Sequence, residues 1–163
     1  MNLNSMQLPV TSEFVGMGQI GFAQEPTLLT AVLGSCIGVI LYHPRRHISA
    51  LAHIVLPNSN GKDGAPGKYA DTAIKNMVAR LQKTGLSASG IRVKMAGGAH
   101  LFETNRLLRI GDENVKAVTN EIEKHGLRVV AKDLGGTKGR RIAFDSCSKD
   151  LTVEVIGKDP LTI

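Results

Sequence analysis

A chain of 163 residues with 42% hydrophobic and 21% charged residues can bury one sizeable core, and its composition is that of a globular domain. Twenty Lys and Arg against 14 Asp and Glu leave a charge of +6, which favours acidic partners, yet no stretch interleaves bases with aromatics as a nucleic-acid platform would. Two cysteines, Cys36 and Cys147, are too few for a disulfide framework, and the longest apolar run, 36–42, is far short of a membrane span; a reducing, cytoplasmic setting with both thiols free is the expectation.

Residues 1–12 are mixed and polar and read as a flexible leader without a signal-peptide pattern, followed by a single domain over 13–163. Apolar residues between glycines over 14–23 predict one or two short strands, and 27–32 predicts another. Leu33-Gly34-Ser35 reads as a turn. The β-rich run 36–42, ended by His43-Pro44, and the run 48–56, ended by Pro57, read as the two arms of a hairpin. Residues 58–68 are rich in Gly, Asn and Pro and predict a loop beside the hairpin. Ala70, Ala73, Ile74, Met77, Val78 and Leu81 recur at helical spacing, with Gly85 in a C-cap position. A strand over 91–96 leads into Gly97-Gly98. A second helix is expected from an Asp112 N-cap to His125, with Val115, Val118 and Ile122 on its buried face. Strands over 128–134, 140–144 and 151–156 close the chain. The order departs from regular βα alternation and predicts an α+β domain of mixed sheets flanked by two or three helices.

Cys36 follows Gly34-Ser35 on a tight turn at the start of a strand. A nucleophile placed there is accessible, backbone N–H groups beside it can stabilise an oxyanion, and Gly34 and Ser35 are small enough for a substrate to approach. A free thiol titrates near about 8.5, so a basic neighbour would have to lower its pKa. Against this stands the commoner reading of a lone Cys as a small buried hydrophobe. His53 lies on the return strand. A tight turn centred on Pro44-Arg45 would set it directly opposite Cys36, on the same sheet face. The competing reading is a strand histidine satisfied by a backbone partner. Thr30, Ser35, Asp71, Asp133 and a backbone carbonyl are all candidates to orient the imidazole. Neither cysteines nor histidines have zinc-type spacing, and Gly135-Gly136 with Lys138-Gly139 lacks the helix that a phosphate loop needs, so no metal or cofactor is expected.

Leu33-Gly34-Ser35-Cys36, Leu41-Tyr42 and Ala52-His53-Ile54-Val55-Leu56-Pro57 together resemble the signature of the chemoreceptor glutamine deamidase family, CheD. Tyr69-Ala70-Asp71, Gly97-Gly98-Ala99, Ile110-Gly111 with Asn114, and Asp133-Leu134-Gly135-Gly136 followed by Gly139-Arg140 and Phe144 match in order and spacing, so the resemblance covers roughly 15–156. It departs at Ile54-Val55 and Ala96, where the family usually carries larger residues. The resemblance implies a β-sandwich of packed mixed sheets flanked by helices, and cysteine-dependent hydrolysis of receptor glutamines to glutamates. It implies Cys36 as nucleophile, His53 as base and Thr30 as the residue completing the site, with methyl-accepting chemotaxis receptors and a CheC-type phosphatase as partners. Three readings compete with the hydrolase: a non-catalytic binding module for the same partners, a basic nucleic-acid-binding domain, and an amine-accepting transfer from the same thioester.

Overall fold

The computed structural model describes residues 10–24, 26–102 and 109–163. In chain order the elements are β1 (Thr11–Phe14), β2 (Ile20–Ala23), β3 (Thr27–Leu33), β4 (Ile37–Tyr42), β5 (Ser49–Ile54), α1 (Ala70–Gln82), β6 (Arg92–Gly97), α2 (Ile110–Lys124), β7 (Arg128–Leu134), β8 (Arg140–Asp145), β9 (Leu151–Val155) and β10 (Leu161–Thr162), with one 3-10 turn at Ala88–Gly90. Two five-stranded sheets form, ordered β1-β3-β8-β9-β10 and β2-β5-β4-β6-β7. Both are mixed, because β1 runs parallel to β3 and β6 parallel to β7 while the other pairs are antiparallel. The α+β expectation of packed mixed sheets with flanking helices describes this architecture.

Three layers result. Ile74, Met77 and Leu81 of α1 and Val118 and Ile122 of α2 pack on Ile37, Val39, Leu41, Ala52 and Ile54 of the second sheet. The opposite face of that sheet, through Cys36, Ile40, Tyr42 and Leu51, meets Leu29, Ala31, Leu33, Ile142 and Phe144 of the first. Every residue of β4 and β5 is therefore buried, which is why both read as continuous apolar runs instead of alternating ones. Each large aliphatic side chain removed from water there contributes about 1.5–3 kcal/mol.

Several boundaries differ from the sequence-based expectations. Of the predicted leader, residues 1–9 lie outside the described set, while Thr11 and Ser12 belong to β1 and pair with Thr27 and Leu28. Helix α2 starts at Ile110, so Asp112 is not its N-cap; it sits in the first turn, 3.7 Å from Arg109 and 3.0 Å from His100, where a carboxylate complements the helix dipole. Val115 is only partly buried, and Gly111, Asn114 and Ala117 join Val118 and Ile122 on the buried face. The C-cap of α1 is Lys83; Gly85 (φ +86°) follows it and donates to the Gln82 carbonyl.

Candidate active site

The hairpin places Cys36 and His53 by register. Its connection spans 43–48, longer than a tight turn, so Gly38 and not Cys36 lies opposite His53. A shift of two residues preserves the face, because side chains alternate with a period of two. Cys36 and His53 are thus diagonal neighbours on that face, the relation for which backbone separations are about 7–8 Å. Gly38, opposite His53, is packed under the first sheet: a Cβ there would meet Ile142 Cδ1 at 2.7 Å and Leu33 Cδ1 at 3.0 Å.

Three consecutive carbonyls fix the turn that carries Cys36. The Gly34 carbonyl accepts from Ala99 N–H at 2.9 Å, the Ser35 carbonyl from Asn114 Nδ2 at 3.1 Å, and the Cys36 carbonyl from Gly98 N–H at 2.9 Å. In a trans peptide the N–H points opposite the carbonyl. The N–H groups of Ser35 and Cys36 are therefore turned away from these anchors, and among the described residues neither meets an acceptor in another residue. Gly97 (φ +118°) permits the close approach, since a Cβ on it would lie 2.1 Å from the Cys36 carbonyl oxygen. At Gly34 a Cβ would meet only the movable end of the Leu101 side chain, Cδ1 at 2.6 Å.

The turn over 15–19 cradles His53 from the other side. Its N–H donates to the Gln19 carbonyl at 3.0 Å and its carbonyl accepts from Gly18 N–H at 2.9 Å. Nδ1 lies 3.1 Å from the Val15 carbonyl oxygen. A carbonyl only accepts, so Nδ1 carries the proton and Nε2 holds the lone pair. Nε2 is buried and has no hydrogen-bond partner among the described residues. The structure thus selects a backbone carbonyl from the possible orienting groups. Asp71 instead accepts from Ser59 N–H and Oγ at 3.0 and 2.7 Å, pinning one end of the 58–68 loop, and Asp133 pairs with buried Arg140 at 2.6 Å. Thr30 lies on the face of β3 opposite Leu29 and Ala31, and its hydroxyl donates to the Glu13 carbonyl at 3.4 Å. Its link to His53 runs through the main chain: the Thr30 carbonyl accepts from Val15 N–H at 2.8 Å. Val15 is not marked by residue spacing, since a backbone carbonyl leaves no trace in residue type.

Burial dominates the electrostatics. It pushes the Cys36 thiol up, opposed in part by the residue's own N–H pointing at the sulfur. It pushes His53 down, opposed in part by the Val15 carbonyl. Both shifts favour the neutral form, so the resting pair is thiol and imidazole, and burial acts against the lowering of the thiol expected from a basic neighbour. Alkylation with iodoacetamide should accordingly modify exposed Cys147 before Cys36, and the Cys36 rate should keep rising with pH beyond about 9.5, a unit above the ordinary thiol pKa of about 8.5, where an ordinary thiol levels off. Rates for each cysteine read by peptide mass spectrometry check this; a Cys36 rate already flat at pH 8 would contradict the neutral resting pair.

A cavity of about 280 Å³ opens beside the turn, lined by Ser35, Ala99, His100, Leu101, Phe102, Ile110 and Gly111. Phe102 is 83% exposed at its rim. Among the described residues no three His, Cys, Asp or Glu side chains converge to hold a metal ion, and no helix is long and apolar enough to cross a membrane.

A family model described as "CheD chemotactic sensory transduction" matches residues 55–155. The "Chemoreceptor glutamine deamidase CheD" of Thermotoga maritima is 37% identical over 144 residues, 88% of this chain and 91% of that protein. A "Probable chemoreceptor glutamine deamidase CheD" of Oceanobacillus iheyensis is 40% identical over 156 residues, 91% of this chain and 94% of its own. Another from Methanococcus maripaludis is 42% identical over 132 residues, 80% of this chain and 86% of its own. With similarity over most of both partners' lengths in bacterial and archaeal relatives alike, the chain belongs to the CheD family.

Proposed function

We propose that this chain, as a single deamidase domain over 13–163, hydrolyses glutamine side chains on the cytoplasmic helices of methyl-accepting chemotaxis receptors to glutamate, with release of ammonia. The observation that carries the reading is His53, held through Nδ1–H on the Val15 carbonyl with an unpartnered Nε2, on the same sheet face as the Cys36 thiol. The function for which its relatives are named, chemoreceptor glutamine deamidase, supplies the substrate class.

The reaction follows from the neutral pair. As a glutamine carboxamide enters, His53 Nε2 takes the thiol proton and the sulfur attacks the amide carbon. Negative charge develops on the amide oxygen, where the N–H groups of Ser35 and Cys36, released by their anchored carbonyls, serve as donors; each such donor is worth about 10²–10³ in rate. The imidazolium returns its proton to the nitrogen, the C–N bond breaks and ammonia leaves. Water, deprotonated by His53, then attacks the thioester, giving glutamate and restoring the thiol. Thr30 acts one step removed, by holding Val15, whose carbonyl fixes the imidazole tautomer.

The cavity beside Ser35, with Leu101 and Phe102, offers an apolar seat for neighbours of the target glutamine, and the charge of +6 suits an acidic helix. A CheC-type phosphatase would compete for the same face. Intact-mass measurement of a receptor cytoplasmic fragment incubated with the protein tests the reading. A gain of about one mass unit per site with matching ammonia is the expected result of amide hydrolysis. No gain with folded protein and a receptor from the same organism would transfer the assignment to a non-catalytic binding module.

A further inference from the structure

We infer that Asn114 is a positioning residue that locks the nucleophile turn to the base strand. The inference rests on the deamidase reading and concerns a residue with no group in the reaction itself. Asn114 is fully buried on α2, on the stripe otherwise formed by Ala117, Val118 and Ile122. Its Nδ2 donates to the Ser35 carbonyl at 3.1 Å and to the Val55 carbonyl at 2.9 Å. One acceptor precedes Cys36 by one residue; the other follows His53 by two. A single amide group, using both its protons, therefore spans the two segments whose separation sets the distance between sulfur and imidazole.

The asparagine also carries a cost: its Oδ1 is buried without a hydrogen-bond partner among the described residues, set against the two bonds its Nδ2 makes. A residue that breaks the packing rule of its own helix face is expected where geometry is held for chemistry. The seat of the helix supports the same conclusion. A Cβ on Gly111 would lie 2.7 Å from the Gly98 carbonyl oxygen and 2.9 Å from that of Ala99, so the first turn of α2 rests directly on the segment whose N–H groups hold the Gly34 and Cys36 carbonyls. All three anchored carbonyls of the nucleophile turn thus depend on where the start of α2 sits. The Ser35 bond also aims the Cys36 N–H, because that N–H belongs to the same peptide as the Ser35 carbonyl.

The test is Asn114→Leu, read in two ways. In receptor deamidation the variant should lose about 10- to 100-fold in kcat, with KM within about threefold, since a misplaced reacting group costs rate and leaves substrate binding nearly intact. In alkylation, which needs no receptor, a loosened turn should admit water to Cys36, speed its modification relative to Cys147 and move its pH profile toward that of an ordinary thiol. The thermal midpoint should fall modestly, because the Ser35 and Val55 carbonyls both lose their donor while only one unpartnered oxygen is removed. Unchanged kcat with an unchanged Cys36 profile would overturn the inference. If the unsubstituted protein does not deamidate, the functional reading fails while the alkylation profiles still decide the role of Asn114. Should the leucine variant not fold, Asn114→Ala, which only removes atoms, carries both measurements with the same expected outcomes.

Discussion

Replacing Cys36 with alanine should abolish deamidation while leaving the circular dichroism spectrum and thermal midpoint close to those of the unsubstituted protein. In the proposed reaction the sulfur forms the thioester, and the chain's other thiol is placed elsewhere: Cys147 is exposed in the turn after β8 and donates its N–H to Asp145. Removing a nucleophile from a coupled hydrolytic site costs on the order of 10⁴–10⁶ in rate. The structural cost is small, because one small buried side chain is trimmed in a tolerant way, worth about 1 kcal/mol. His53→Gln should lose activity to a comparable extent, and the Cys36→Ala, His53→Gln pair should be no worse than either alone, since both groups serve one proton transfer and one bond formation. Cys147→Ser should keep full activity. The check is ammonia release under single-turnover conditions with thermal melts on the same samples. Retention of about a tenth of the rate by Cys36→Ala would rule out the thioester route.

Gly97→Ala should be among the most damaging single-methyl additions in the molecule. Its φ of +118° is one that side-chain-bearing residues rarely adopt, at a cost of about 1–3 kcal/mol. The added Cβ would also stand 2.1 Å from the Cys36 carbonyl oxygen, which neither backbone can accommodate without moving, and it would break the bond from Gly98 N–H to that oxygen. Overpacking of this kind adds about 1–3 kcal/mol. A fall in thermal midpoint of about 10 °C is expected for a chain of this size. Activity measured well below that midpoint should also fall at least about tenfold, because the nucleophile turn must shift. Gly126→Ala separates the two causes: its φ is +66° with nothing within 4 Å of the added Cβ, so it carries backbone strain alone and should cost about 1 kcal/mol without loss of activity. Equal damage from the two substitutions would mean that the contact with Cys36 is unimportant.

Much of this protein was legible in its residues. The helical stripe from Ala70 to Leu81 named its own buried face, because a period of 3.6 is written directly in side-chain chemistry. The uninterrupted apolar runs of β4 and β5 marked the central hairpin, and their connection brought Cys36 and His53 to one sheet face even though the register fell two residues from direct opposition. The resemblance named a nucleophile, a base and a third residue where spacing alone left alternatives open. What only the tertiary structure decided were contacts made by the backbone and by residues distant along the chain. The orienting partner of His53 is the Val15 carbonyl, a group every residue type offers. Asn114, quoted in the resemblance but given no role, stands 79 positions from the Ser35 carbonyl it holds. Asp112 read as a helix cap because the helix's earlier start depends on seating Gly111 against Gly98. Burial, which sets the protonation of both Cys36 and His53, arises only when the two sheets close on each other. Sequence fixes which groups are present and which face they take; long-range packing fixes their partners, their solvent and hence their reactivity.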